Sequence, residues 1–253
     1  MKKVYLTGIT GTVAPYINDA LFHQGYHVDH KHFRINNIEE IDQIKSHLEQ
    51  LKPDVIIHAA LGPVEVTEMF AVYSKIHQVP FVYISTVSVY EDNKGGPYFK
   101  EDDIKVKNAY GLYKYTSEQR ALSINSNSYI IRLGWQISPE KNTTSNNMFK
   151  FIKDNTDENN NIAVSDLFYP SASFLNDTAD AIVEIIKKQP GIYLVNGNPR
   201  YSLFEILHIL KNKFQLDINI IKNNNVKRSD IMVDPEVRIL PIDAPNQKNK
   251  DTF

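Results

Sequence analysis

The chain has 253 residues, of which 42% are hydrophobic and 23% charged, with a formal net charge of -2 and no cysteine. That length fits one α/β domain with at most a small appendage, and the lack of cysteine excludes a disulfide framework and thiolate catalysis and is compatible with a cytoplasmic home. No basic stripe suits a nucleic acid, and no apolar run approaches the roughly 18–20 residues of a membrane span.

The opening Met1-Lys2-Lys3-Val4-Tyr5-Leu6 is basic, then apolar. The run stops at Thr7-Gly8, short of the about 7–15 residues of a signal-peptide core, so Val4–Leu6 reads as a buried first strand. A turn over Thr7–Thr12 follows, then a helix over Ala14–Gln24 ended by Gly25. His27–Phe33 is the second strand candidate. Ile38–Leu51 carries apolar residues at helical spacing and is broken by Pro53. Val55–Ala59 has the continuous apolar character of a buried parallel strand. Further on, the pattern predicts a helix at Val66–His77, a strand at Phe81–Ser85, a helix at Tyr110–Ser123 and a strand at Tyr129–Leu133. Alternation of this kind implies a doubly wound parallel sheet of Rossmann type. The regularity then weakens. Met148–Lys153 and Thr178–Lys188 read as helices, Gly191–Val195 as a strand and Leu203–Phe214 as a helix, while the Asn runs at 159–161 and 223–225 read as solvated loops. Asn142-Thr143-Thr144 fits a glycosylation sequon with no secretion signal behind it.

The turn Thr7-Gly8-Ile9-Thr10-Gly11-Thr12-Val13-Ala14 lies between strand and helix, where a dinucleotide pyrophosphate would rest on backbone N–H groups at the helix N-terminus. The residue that reads the adenosine ribose belongs at the end of the second strand. There the chain has His30-Lys31-His32-Phe33-Arg34, with Asp29 about one turn of chain too early. Arg34 suits a 2′-phosphate, so NADP is favoured and NAD is the alternative. Histidines 23, 27, 30 and 32 cluster in sequence, but no Cys or carboxylate completes a ligand set in a rigid element, and no metal site is assigned.

Tyr110 and Lys114 are four apart and share a helix face. A tyrosine titrates near 10 unless a neighbouring ammonium lowers it, and a lysine so placed can also hold a ribose. Ser85-Thr86 ends a buried strand and offers a hydroxyl for a carbonyl oxygen.

Together these segments resemble the extended short-chain dehydrogenase/reductase family of nucleotide-sugar epimerases, dehydratases and reductases. Thr7-Gly8-Ile9-Thr10-Gly11 resembles the TGxxG turn, and Asp54-Val55-Ile56-Ile57-His58-Ala59-Ala60 the D-V-x-x-H-x-A-A fourth-strand block. Ser85-Thr86-Val87-Ser88-Val89-Tyr90 is similar to S-[ST]-x-x-V-[YF], and Tyr110-Gly111-Leu112-Tyr113-Lys114 with Glu118 to Y-G-x-x-K-x-x-x-E. Arg132-Leu133-Gly134-Trp135, Phe174 to Ala179, Gly191 to Gly197 and Lys227 to Leu240 resemble later blocks of the family in order. The resemblance implies one extended unit over 1–253. Its dinucleotide core would be about 1–135 plus 172–195, its smaller substrate-binding part about 136–171 and 196–241, and a flexible tail 242–253. It implies catalytic roles for Thr86, Tyr110 and Lys114. The cofactor would be held by Gly8, Thr10, Gly11, Thr12, Val13, His32, Arg34, Ala59, Ala60, Leu61, Ser85, Leu133 and Gly134, besides Tyr110 and Lys114. Val87, Ser88, Trp135, Asn147 and Arg228 would meet the substrate.

Within the family the chain is most similar to the dTDP-4-dehydrorhamnose reductase type, through Ser145 to Lys150 and Asp166 to Ser171. That subgroup usually has Asp-Tyr where this chain has Val87-Ser88, and the dehydratases carry acids there. The resemblance therefore implies an NAD(P)-dependent reductase of a keto group on a nucleotide-linked sugar, with a homodimer compatible. An epimerase, or a cofactor-binding regulatory subunit without turnover, are the alternatives.

Overall fold

The computed structural model describes residues 1–31, 33, 40–90, 95–139 and 147–245. His32, Arg34, the start of the helix expected from Ile38, the Asn142 sequon, Ser145-Asn146 and the last eight residues lie outside the described residues.

Six parallel strands form the central sheet: β1 (Lys3–Thr7), β2 (His27–Asp29), β3 (Val55–His58), β4 (Phe81–Thr86), β5 (Tyr129–Leu133) and, later in the chain, β10 (Gly191–Val195). Their order is β10-β5-β4-β3-β1-β2. The strand order reverses at β1, so a crevice opens beyond the carboxyl ends of β1 and β3, the place where open α/β sheets bind ligands. The Asp54–Ala60 block thus lies on the third strand in chain order among the described residues, not the fourth. β2 is only three residues long and ends at Asp29, earlier than the strand expected to Phe33.

Both faces of the sheet are covered. On one face Val4, Leu6, Val82 and Ile84 pack with α1 (Ala14–His23) and α6 (Leu175–Ile185). On the other, Tyr5, Ile56, Phe81 and Tyr83 pack with α2 (Ile41–Leu51), α3 (Val64–His77) and α4 (Ala109–Ile124). Successive strand residues point to opposite faces, and because each face has a helical layer both sets are apolar. Such burial contributes about 1.5–3 kcal/mol for each large aliphatic side chain.

A second core forms beyond Leu133. It contains β6 (Trp135–Ile137), α5 (Met148–Asn155), β7 (Asn161–Ser165), β8 (Phe168–Tyr169), β9 (Ala172–Phe174), α7 (Leu203–Phe214), β11 (Asn219–Asn223) and β12 (Arg228–Ser229). β7 pairs with β11, β8 with β12 and β6 with β9, all parallel. The sequence pattern missed these strands. Asn161 opens β7 and Asn223 closes β11, where solvated loops were expected. Helix α7 has the expected bounds and a full capping box, Ser202 with Glu205. Helix α6 starts at Leu175, three residues before its expected start. Ile242 is fully buried against this second core and its N–H donates to the Gly197 carbonyl, so the chain is still packed where a tail was expected to begin. Among the described residues, no helix is long and apolar enough to cross a membrane.

Candidate active site

A cleft of about 920 Å³ runs from the Gly8 turn, past Thr86, Tyr110 and Lys114, to Arg228 on the second lobe. It brings together Thr10, Gly11, Thr12, Val13, Ala59, Ala60, Leu61, Ser85, Val87, Ser88, Leu133, Gly134 and Trp135, all expected at a site from the sequence.

The turn end is built by Thr7 and Gly8. In register Thr7 faces His58, so their side chains meet, Thr7 Oγ1 to His58 Nδ1 at 2.8 Å. Thr7 Oγ1 also accepts the N–H groups of Ala59 at 3.2 Å and Ala60 at 3.3 Å. With its lone pairs used in this way, Thr7 donates its proton to Nδ1. Burial, and secondarily the charge of Lys114, bring the His58 pKa down to about 3, so the ring is neutral. Gly8 has φ +82, and a Cβ there would stand 2.8 Å from Ala60 N; the two strand ends can approach only because it is glycine. Helix α1 then begins without a side-chain cap. Pro15 in its first turn has no N–H and the Tyr16 N–H bonds the Val13 carbonyl at 3.1 Å, so what α1 offers the cleft at Val13 is chiefly the positive end of its dipole.

The middle of the cleft is built by β4 and α4. Thr86 ends β4, and its Oγ1 accepts the Ser88 N–H at 3.2 Å. Asn108 caps α4 by accepting from the Gly111 N–H at 2.7 Å, which places Tyr110 in the first turn. A Cβ on Gly111 would lie 2.4 Å from the Ser88 carbonyl oxygen. The glycine in Tyr-Gly-x-x-Lys thus lets α4 seat against the 3-10 turn Val87–Tyr90. Tyr113 reaches across and accepts the Gly62 N–H at 3.1 Å, holding the loop beside Leu61.

Tyr110 is half exposed in the cleft, while Lys114 is only 4% exposed. Lys114 Nζ donates to the Ile84 carbonyl at 2.8 Å and lies 4.8 Å from the Tyr83 ring centroid. Burial brings its pKa down to about 8, with Glu118 opposing. The expected acidification of Tyr110 by Lys114 is not observed. Burial raises the Tyr110 hydroxyl above its ordinary value, a hydrogen bond with Thr86 opposes this and Tyr113 adds to it. The physical reason is direction: the lysine turns inward to the β4 backbone, not outward to the phenol.

Beneath these residues lies a buried ionic network. Glu118 takes Arg132 in a forked contact, Nε to Oε1 at 3.0 Å and Nη2 to Oε2 at 2.6 Å, and accepts the Ser85 hydroxyl. Arg132 also donates to Tyr90 Oη at 2.5 Å. This ties α4 to β4, β5 and the 3-10 turn below Thr86.

At the far end, Arg228 Nη2 donates to Asp230 Oδ2 at 2.7 Å, and the guanidinium lies 5.0 Å from the Phe168 ring centroid. Phe168, Pro170, Ser171 and Asp230 join the cleft; the sequence offered them only as letters of the blocks Asp166 to Ser171 and Lys227 to Leu240, with no site role. They sit on two-residue strands and loops that carry no periodicity. His30, Lys31 and Phe33 line the turn end. Thr7 and His58 were visible as motif letters without a role. Asn147 does not line the cleft: it is buried and caps α5, its Oδ1 accepting the Lys150 N–H at 3.0 Å. His32 and Arg34 lie outside the described residues.

Residues 63–233 match the RmlD substrate binding domain family. The chain belongs to that family. That match covers α3, β4, α4 and nearly all of the second lobe. In sequence the chain is 24% identical over 237 residues to the spore coat polysaccharide biosynthesis protein SpsK of Bacillus subtilis, covering 87% of this chain and 82% of that protein. In structure it is similar to a dTDP-4-dehydrorhamnose reductase from Bacillus anthracis solved in complex with NADP, with TM-score 0.79, 19% identity and 96% of each chain covered. It also resembles WbmH of Bordetella bronchiseptica solved in complex with NAD+, with TM-score 0.75, 18% identity, and 96% and 95% of the two chains covered. A UDP-glucose 4-epimerase from Thermotoga maritima shares the fold at TM-score 0.71 and 15% identity, over 94% and 89% of the two chains.

Proposed function

We propose that this RmlD-family chain is an NAD(P)-dependent oxidoreductase that reduces a keto group on a nucleotide-linked sugar. One observation carries the reading: a single cleft joins an uncapped helix N-terminus, a Tyr–Lys–Thr group and an arginine on the second lobe. The residues fit a dinucleotide. Gly8 and Gly11 leave room for a pyrophosphate beside α1, Thr7 fixes the end of β3 next to it through His58 and the Ala59 and Ala60 N–H groups, and Lys114 lines the cleft for the nicotinamide ribose. When bound, the reduced nicotinamide supplies the hydride.

The chain's own groups then handle the oxygen. Thr86 donates its hydroxyl proton in a hydrogen bond to the substrate carbonyl oxygen and polarises it. Tyr110 gives its phenolic proton to that oxygen as the carbonyl carbon is reduced, which leaves an alcohol. Burial holds the Tyr110 phenol above its ordinary value, so at neutral pH it carries the proton it donates. Lys114 stands one helical turn from Tyr110, and by turning from the Ile84 carbonyl its ammonium would stabilise the tyrosinate left behind. Arg228 suits a diphosphate, since its planar fork matches phosphate oxygens. Val87 and Ser88 present one apolar and one neutral polar side chain to the cleft, so no acid is available there for water elimination.

The test is NADPH or NADH consumption with 4-keto nucleotide sugars. Tyr110→Phe is expected to lower kcat by about 10²–10⁴ while leaving cofactor binding intact. Unchanged turnover in that variant, or no consumption with any keto sugar nucleotide, overturns the reading.

A further inference from the structure

Strand β2 ends beside the turn end of the cleft with Asp29-His30-Lys31. An acidic residue near this point commonly accepts the adenosine ribose hydroxyls and favours the cofactor without a 2′-phosphate. In this chain the acid is already engaged. Asp29 Oδ1 accepts the Lys31 N–H at 3.0 Å and stands 3.0 Å from His47 Nε2. Both side chains are largely covered, at 22% and 13% exposure. The His47 ring, from α2, is itself held between Tyr5 and Phe33, each centroid 5.6 Å away. Asp29 does not line the cleft, whereas His30, Lys31 and Phe33 do. Lys31 extends its ammonium over the Phe33 ring, 5.2 Å from the centroid.

We propose that His47 withdraws Asp29 from cofactor recognition and leaves Lys31 to take the 2′-phosphate, so that His47, which itself need not touch the cofactor, sets a preference for NADPH over NADH. The inference rests on the dinucleotide reading of the cleft. Its logic is electrostatic. A carboxylate turned to the ribose would repel a doubly negative phosphate, while one tied to its own backbone and to an imidazole leaves Lys31, among the described residues at this end of the cleft, as the cation to meet it. His47 is thus a positioning residue: it acts through Asp29.

The test is binding, not turnover. Nicotinamide fluorescence is titrated with NADPH and NADH, and 2′,5′-ADP is compared with 5′-AMP as competitor. The parent is expected to bind NADPH at least about tenfold tighter than NADH, the worth of one charge-assisted phosphate contact. Lys31→Ala is expected to remove most of that ratio by weakening NADPH alone. His47→Ala is expected to weaken NADPH and tighten NADH, His47→Gln to keep the parent ratio, and His47→Ala to have no further effect on an Asp29→Asn background. Binding of neither cofactor overturns the dinucleotide reading and the proposal with it. Equal binding, an NADH preference, or a ratio unmoved by His47→Ala in a variant that melts like the parent overturns the proposal alone.

Discussion

Lys114 shows how a side chain proposed for the site can be costly to the fold. Its ammonium is buried with one carbonyl partner, and its pKa falls from the ordinary 10.5 to about 8. Between those values the unfolded chain holds a proton that the folded chain does not, so this group's cost is greatest below pH 8 and is relieved as pH rises toward 10.5. A shift of this size corresponds to roughly 3 kcal/mol. Lys114→Met is therefore expected to abolish turnover while unfolding no more easily than the parent at pH 7, and its advantage should shrink above pH 9. Urea midpoints at the two pH values check both statements. His58 works in the opposite part of the scale. It stays neutral in the fold down to about pH 3, while unfolded histidine takes a proton near 6.5. Stability from this group is present above pH 6.5 and lost as pH falls toward 3, on the order of 2 kcal/mol by pH 5. His58→Gln should lose less stability between pH 7 and pH 5 than the parent does, measured by the same denaturant midpoints.

At the scale of elements, α4 is seated by two contacts that the Tyr-x-x-x-Lys spacing does not reveal. One is the glycine contact with the 3-10 turn. Gly111→Ala forces a methyl to within 2.4 Å of the Ser88 oxygen, so the helix must shift away from Thr86. The expected cost is about 1–3 kcal/mol in stability, with a larger proportional loss in kcat than in cofactor affinity. Stopped-flow hydride transfer beside equilibrium titration separates the two. The other contact is the Glu118–Arg132 pair, fully covered and anchored to Ser85 and Tyr90. Removing one partner alone strands a charge: Arg132→Met is expected to destabilise by about 3–5 kcal/mol, and the double variant Arg132→Met with Glu118→Leu to recover much of it. A double-mutant cycle in urea measures the coupling; additive losses would contradict it.

For the whole molecule, the parallel sheet and the second lobe contribute unequal signals. The sheet strands are continuous apolar runs separated by helices at 3.6-residue spacing, so Val55, Tyr129 and Gly191 each announce the start of a strand close to where it begins. The second lobe is held by two- to five-residue strands whose partners are far apart in sequence, such as Arg228 with Phe168 and Asn219 with Asn161. Short strands have no period to read, and asparagines that look like loop composition become strand ends once a partner is beside them. The same difference governs the cleft. The glycine turn, Thr86, Tyr110 and Lys114 stand in local motifs; Phe168, Pro170 and Asp230 reach the site only because the lobe folds back over it.

The amino-acid sequence by itself determined the alternation of strands and helices, the glycine turn and the Tyr110–Lys114 pair, because each depends on residues within one helical turn or one strand of one another; Thr86, on β4, joined them through the family blocks. Only the tertiary structure decided what those residues do to each other. The spacing of Tyr110 and Lys114 puts them on one face, but a carbonyl on β4 draws the ammonium inward and burial raises the phenol. Asp29 sits near the expected ribose position, but a histidine eighteen residues later engages it. Asn147 has the chemistry to meet a substrate, but the start of α5 claims it as a cap. In each case a hydrogen bond from a neighbouring element outweighs the local pattern, because a buried polar group takes the partner that the packed chain sets within reach.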